Sequence, residues 1–232
     1  MNDRSSKKTS RTRSRSQTPA RSRLPAGREL LPDEAVPDGT RRRILNAALQ
    51  LFARHGFHAT SVRDLAKKTR LQPGALYVHF PSKEHILAEL CRVGHEVHHR
   101  ALQRALLDAG AALEAQLAAL VRAHVVMHAT HPQLAVLVNE ELYTLPATLA
   151  APALTLRNQS TALLLEILSR GVAMQRFSCR EPMVTAAAIS AMGLRIPYWY
   201  RREEGPSLET LADTHAELSL RMLGVLDRQG GL

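Results

Sequence analysis

From Thr40 onward, apolar side chains recur at helical spacing. Ile44, Ala47, Ala48, Leu51 and Phe52 fall at i, i+3, i+4, i+7 and i+8, one stripe of a helix that should stop at Gly56, just after His55. Ser61 with Asp64 three residues on has capping-box spacing, and Val62, Leu65 and Ala66 supply the buried face of a short second helix. A third is expected between Gln72 and Phe80, with Pro73 in its first turn and Leu76 and Phe80 spaced to pack inward. Ser82 then caps a long helix, residues 83 to 107, built on Ile86, Leu87, Leu90 and Val93. Further helices are predicted near 111–129, 132–144, 153–175, 182–201 and 207–228, parted by Gly110, His131–Pro132, Pro146–Pro152, Glu181–Pro182 and Gly205–Pro206. No strand-like alternation competes, so the fold class is all-α.

In the last of these helices Leu208, Leu211, His215, Leu218, Met222 and Val225 alternate spacings of three and four, a seam for a partner helix, with Ala212, Leu223 and Leu226 as a second apolar stripe. The first 37 residues follow no period. They are Ser, Arg and Pro with almost no apolar residues, and are expected to be a disordered basic arm. Charge follows the same division. Residues 1–28 hold nine Lys or Arg and one acid, and residues 38–88 nine bases and three acids, whereas residues 89–232 are near neutral, with 13 bases and 14 acids. A polyanionic partner is therefore expected at the N-terminal third, nucleic acid rather than a membrane, because no basic amphipathic helix goes with the charge.

Two short helices joined by a tight turn, the second opening with small and polar residues in a basic surround, make residues 61–80 a helix-turn-helix. The stretch TRRRILNAALQLFARHGFHATSVRDLAKKTRLQPGALYVHFPSKEHILAEL, Thr40 to Leu90, resembles the DNA-binding domain of the tetracycline-repressor (TetR) family, most specifically in LFARHGFHATSVRDLA and GALYVHFPSKEHIL. The residues suit that role. Gln72, Pro73, Gly74 and Ala75 open the second short helix, where backbone N–H groups and small side chains can enter the major groove and Gln72 can read a base edge. Thr60 and Ser61 sit at a helix N-terminus, a good phosphate site. The resemblance implies backbone contacts from Tyr77, His79 and Lys83, whose phenol, imidazole and ammonium all donate to phosphate oxygens, and Arg41 is added as a DNA-binding candidate. Arg70 stands where the family usually has Gly in the turn, so the turn must hold a non-Gly residue in strained dihedrals or take another path.

The C-terminal part resembles the family's ligand-binding and dimerisation domain, which divides the chain into an arm (1–37), a three-helix DNA-binding domain (38–98) and a helical effector domain (99–232). LLLEILSRGVAMQRFSCREP and IPYWYRREEGPSLETLAD are similar to the subgroup that regulates fatty-acid, sterol and related acyl catabolism, whose effectors are often CoA thioesters. Gln175 and Arg176 depart from it, standing where small residues or Gly are expected. Independently, Ala- and Leu-rich helices with irregular joints at Pro146 and Pro152 can enclose an apolar cavity. Pro197, four residues after Gly193, should kink its helix and free a carbonyl near Arg195 and Trp199; that pair, with His128, Glu141 and Arg157, forms the expected ligand-binding set.

Cys91, His95 and His99 lie at i, i+4 and i+8, and His124 and His128 at i, i+4, spacings that suit zinc or copper. The first set spans two turns and does not converge on one ion, so no metal ligand and no cofactor is expected. No G-x-S-x-G elbow, P-loop, G-x-G-x-x-G turn or H-E-x-x-H helix occurs, which argues against an enzyme. Two cysteines, no leader and no run of about 18 apolar residues point to a cytoplasmic protein with no membrane span. The expectation is a homodimeric repressor, released from a pseudo-palindromic double-stranded operator by a small apolar effector such as an acyl-CoA thioester. Two alternatives stay open: a basic-armed nucleic-acid binder without effector, and a metal-sensing regulator.

Overall fold

The computed structural model describes residues 31–32, 35–37 and 39–225, and the regular structure among them is helical. Helix α1 (Thr40–His55) buries Ile44, Leu45, Ala48, Leu49 and Phe52 and ends at Gly56, whose φ of 87° suits a residue without Cβ. The capping box at Ser61 forms as expected: Asp64 N–H donates to Ser61 Oγ at 3.1 Å and Ser61 N–H to Asp64 Oδ2 at 2.8 Å, starting α2 (Val62–Thr69). α3 (Pro73–His79) begins on the proline, and Ser82 caps the 26-residue α4 (Lys83–Asp108). There follow α5 (Leu113–Thr130), α6 (Pro132–Glu141) with a 3-10 turn over Leu142–Thr144, α7 (Ala147–Ala173), α8 (Pro182–Trp199) and α9 (Leu208–Met222).

Two apolar cores result. One joins α1–α3 to the first half of α4, to α6 and to the start of α7; the other joins Leu102 at the far end of α4 to α5, α8, α9 and the rest of α7. α4 belongs to both. Gly94 lies between them, where a Cβ would stand 3.0 Å from Val138 Cγ1, so the glycine that looks like a helix breaker lets α6 lie close against α4.

The expected start of α7 at 153 is corrected to Ala147, with Pro152 inside the helix. A proline near a helix start removes a single ladder bond, and Ala150 and Ala153, buried in the first core, hold the segment helical. The seam along α9 is also corrected. Leu211, Ala212, His215, Ala216 and Ser219 face inward, α9 packs along α5, and Leu218 and Met222 point to solvent; the helix ends at Met222, and Leu226 lies outside the described residues. The basic arm through residue 30 is likewise outside them, but the stretch up to residue 37 is not wholly an arm: Leu31 and Val36 are buried, and the Arg42 guanidinium donates to the carbonyls of Leu31, Pro32 and Val36.

Among the described residues, Arg70 (φ 58°) and Gln175 (φ 55°) are the non-glycine residues at positive φ, two of the three places where glycine or a small residue was expected from the family pattern; Arg176 is not among them. Gln175 turns the chain after α7 so that Phe177 folds back on Gly171, and its ring is where a Gly171 Cβ would be, 2.0 Å from Phe177 Cδ2. Gly171→Ala should therefore lower stability by about 1–3 kcal/mol through overpacking, while Gln175→Gly should raise it by roughly 0.5–1 kcal/mol by relieving left-handed strain. Urea unfolding of both variants, with opposite shifts in midpoint, checks this.

Candidate DNA interface and effector cavity

Gln72, Pro73 and Gly74 are exposed at the start of α3, as are Tyr77 and Val78, with 52% and 82% of their surface in solvent. A Cβ on Gly74 would meet nothing within 4 Å, so the bare backbone there suits close approach of something outside the chain. Arg63, Lys67 and Lys68 of α2 and Arg70 in the turn before α3 are exposed as well. Val78, four residues on from Gly74, is an apolar side chain on the outward face that the sequence pattern did not single out.

Other candidates are taken up by the domain itself. Thr60 is buried and its hydroxyl donates to Gly56 O at 2.9 Å. Lys83 Nζ donates to Phe57 O and Thr60 O, both at 2.9 Å, over the Phe57 ring. Arg41 donates to His79 O at 3.2 Å, lies 4.2 Å above the Phe80 ring and pairs with Glu89 at 3.3 Å. Burial acts to raise the Glu89 carboxyl, but hydrogen bonds and charge from Arg92 and Arg41 outweigh it and hold Glu89 below its ordinary value. Ser61 is exposed but closes the capping box, donating to Asp64 at 2.6 Å. Through Lys83 and Arg41 these bonds tie the start of α4 to the loop after α1, and α1 to the end of α3.

Between the two cores lies a mostly apolar cavity of about 110 Å³, walled by α4 to α8. Its polar lining includes His95, His98, His124, His128, Asn139, Arg157, Ser160 and Ser190. Of the expected ligand-binding set, His128 and Arg157 are brought here. Arg157 reaches from the lining to the exposed Tyr143, donating to its hydroxyl at 2.5 Å. Arg195 and Trp199 are not in the lining: the inward face of α8 is Ala186, Ile189, Gly193 and Ile196, and residues 195 and 199, one turn apart, share the opposite face. Arg195 stacks 4.4 Å over Tyr198 instead. Glu141 is buried outside the lining near Cys91, whose thiol burial and that carboxylate push up to about 12.

The histidines meet differently from their sequence spacing. Cys91 and His99 stay apart, His99 bonding Ser160 Oγ at 3.1 Å, whereas the His124–His128 pair is joined by His98, three residues past His95. His98 Nε2 and His124 Nδ1 are 2.9 Å apart, His124 Nε2 lies 3.0 Å from Ser190 O, and His128 Nδ1 lies 2.8 Å from His124 O. A Cβ on Gly193 would stand 2.1 Å from His124 Cδ2, so α8 makes room for this ring by having none there. His95 Nε2 is buried without a hydrogen-bond partner among the described residues.

Residues 44–90 match the model for bacterial regulatory proteins of the tetR family, and residues 110–223 that for the tetracyclin repressor-like C-terminal domain. The chain is 48% identical to the HTH-type transcriptional regulator UidR of Escherichia coli over 54 residues, which is 23% of this chain and spans only 26% of that relative. A tetR-family regulatory protein from Rhodococcus RHA1 shares the fold with a TM-score of 0.75 at 27% identity, over 81% of this chain and 98% of that one. PfmR, a TetR family transcriptional regulator of Thermus thermophilus, is 30% identical over 78% of this chain and 98% of its own, with a TM-score of 0.70. The chain belongs to the TetR family.

As a TetR protein it is a DNA-binding transcriptional regulator, not an enzyme, and α2 and α3 are its reading head. Among the described residues no helix is long and apolar enough to cross a membrane. Burial dominates the cavity imidazoles of this TetR chain: it pushes His124 down to about 3 and, with the Arg157 charge, His95 down to about 4, and lowers His98 and His128 as well. The unfolded chain takes up these protons near 6.5, the folded one only well below it, so their stabilising effect is complete above 6.5 and is lost as pH falls from there toward 4. The melting temperature should drop across that window, and His95→Leu should flatten the drop; circular dichroism melts at stepped pH check both.

Proposed function

We propose that this TetR regulator is a homodimeric repressor that leaves a pseudo-palindromic operator when the acyl part of a small thioester enters the cavity. The observation that carries the reading is the position of the cavity, against the same helix, α4, on which the reading head is mounted. A ligand that binds one setting of α4 better than another shifts the spacing of two reading heads that must sit about one DNA turn (34 Å) apart. The apolar lining and small volume suit a short acyl chain, with Arg157 beside Tyr143 as a partner for the phosphates left outside. AibR, which shares the fold at 22% identity and a TM-score of 0.70, has a crystal structure in complex with isovaleryl coenzyme A and operator DNA.

Dimerisation is supported by faces that the described residues leave uncovered. Val184, Ala187, Ala188, Ala191 and Trp199 of α8 and Leu218 and Met222 of α9 are exposed, and apolar surface of that kind on two neighbouring helices suits a four-helix interface with a second copy. In that dimer Gln72 and Gly74 of each copy meet successive major grooves, while Tyr77 and His79 hold phosphates.

Fluorescence anisotropy with the DNA upstream of the protein's own gene tests the reading. Gln72→Ala should cost about 1–3 kcal/mol of specific binding. Ala191→Glu should shift the mass in solution from dimer to monomer and weaken operator binding with it. Isovaleryl-CoA should release the DNA from the wild type and do so less well from Arg157→Ala. Binding with no sequence preference would overturn the operator reading; specific binding that ignores acyl-CoA of every chain length would overturn the effector alone.

A further inference from the structure

We infer that His98, His124 and His128 form a binding site for one divalent transition-metal ion of the zinc class, built on α4 and α5 and braced by α8. One ring nitrogen from each residue lies within 4.8 Å of the others. Tetrahedral coordination at Zn–N distances near 2.0–2.1 Å needs nitrogens about 3.3 Å apart, a separation these rings reach with small rotations, since His98 Nε2 and His124 Nδ1 already stand at 2.9 Å.

The way the rings are held points the same way. Carbonyl oxygens only accept, so His124 carries its proton on Nε2, facing Ser190 O, and His128 on Nδ1, facing His124 O. Each therefore has its second nitrogen, His124 Nδ1 and His128 Nε2, free of a proton. Outer N–H groups tied to backbone carbonyls are how metal-binding histidines are oriented. For His98, moving the proton from Nε2 to Nδ1 frees the third nitrogen with no change of charge. Gly193 gives the His124 ring its place, because any Cβ there would occupy it.

A second observation is independent of the triad. His95 lines the same cavity, is 94% buried and has on Nε2 a buried nitrogen with no hydrogen-bond partner among the described residues, so the cavity lacks a polar group that a bound ion or its water would supply. The donors are all imidazoles, with no carboxylate among them, which selects Zn²⁺, Cu²⁺, Ni²⁺ or Co²⁺ over Mg²⁺ or Ca²⁺. Three protein ligands leave one coordination position directed at the cavity. The inference uses the cavity but needs neither an acyl-CoA effector nor DNA, so it and the proposed function can fail separately.

Chelator-stripped full-length protein titrated with Co²⁺, with no DNA present, is the test. The expected result is one equivalent bound with the intense visible absorption of tetrahedral cobalt, bleached by one equivalent of Zn²⁺. His98→Gln, at a half-buried position, and His128→Gln should each weaken binding at least about tenfold, Gly193→Ala should weaken it by displacing His124, and exposed His58→Gln should leave it unchanged. Circular dichroism on each variant separates loss of the site from loss of the fold. No saturable binding by the wild type, or equal binding by folded His98→Gln and His128→Gln, overturns the site and leaves the three histidines as a hydrogen-bonded core network.

Discussion

One helix has to satisfy two cores at once. The first half of α4 completes the DNA-binding domain through Ile86, Leu87, Leu90 and Val93, and Leu102 near its far end is packed with α5 and α7 to α9. A continuous run of i to i−4 hydrogen bonds joins the two ends, so the helix moves as a rod and neither core can shift its part alone. The bonds of Lys83 to Phe57 and Thr60, and of Arg41 to His79 and Glu89, tie α1, the loop after it and the end of α3 to that rod.

The cavity lies where the two cores fail to merge. Gly94 brings α6 in close on one side of α4, and the histidines take up the space further along the helix, where α5, α7 and α8 converge. Burying so many imidazoles is costly unless their nitrogens find partners. Ser190, Ser160 and the backbone of His124 supply several of them; the Nε2 of His95 is buried with none among the described residues.

Local rules made the reading head legible. The Ser61–Asp64 box, the proline that opens α3 and the Ser82 cap each act within four residues, and each places its helix boundary within a residue or so. The histidine cluster was not legible for the opposite reason. His98 and His124 are 26 positions apart on different helices, and the spacing that singles out His95 and His99 passes over the residue between them that turns toward α5. Pro152 misled because a proline's effect depends on its place in the helix and on tertiary burial, neither of which a local pattern contains. Arg195 and Trp199 were placed by a freed carbonyl, whereas the side of α8 that faces the cavity is set by Ile189 and Gly193, half a turn away.

Leu31, Val36 and the three carbonyls gathered by Arg42 root the N-terminal segment on α1, beside the reading head. One guanidinium of α1 thus partners three main-chain carbonyls of that segment. A charged side chain that reads as surface in the sequence is here a structural peg: without Arg42, three carbonyls would turn back to water and Leu31 and Val36 would lose the bonds that hold their segment on α1.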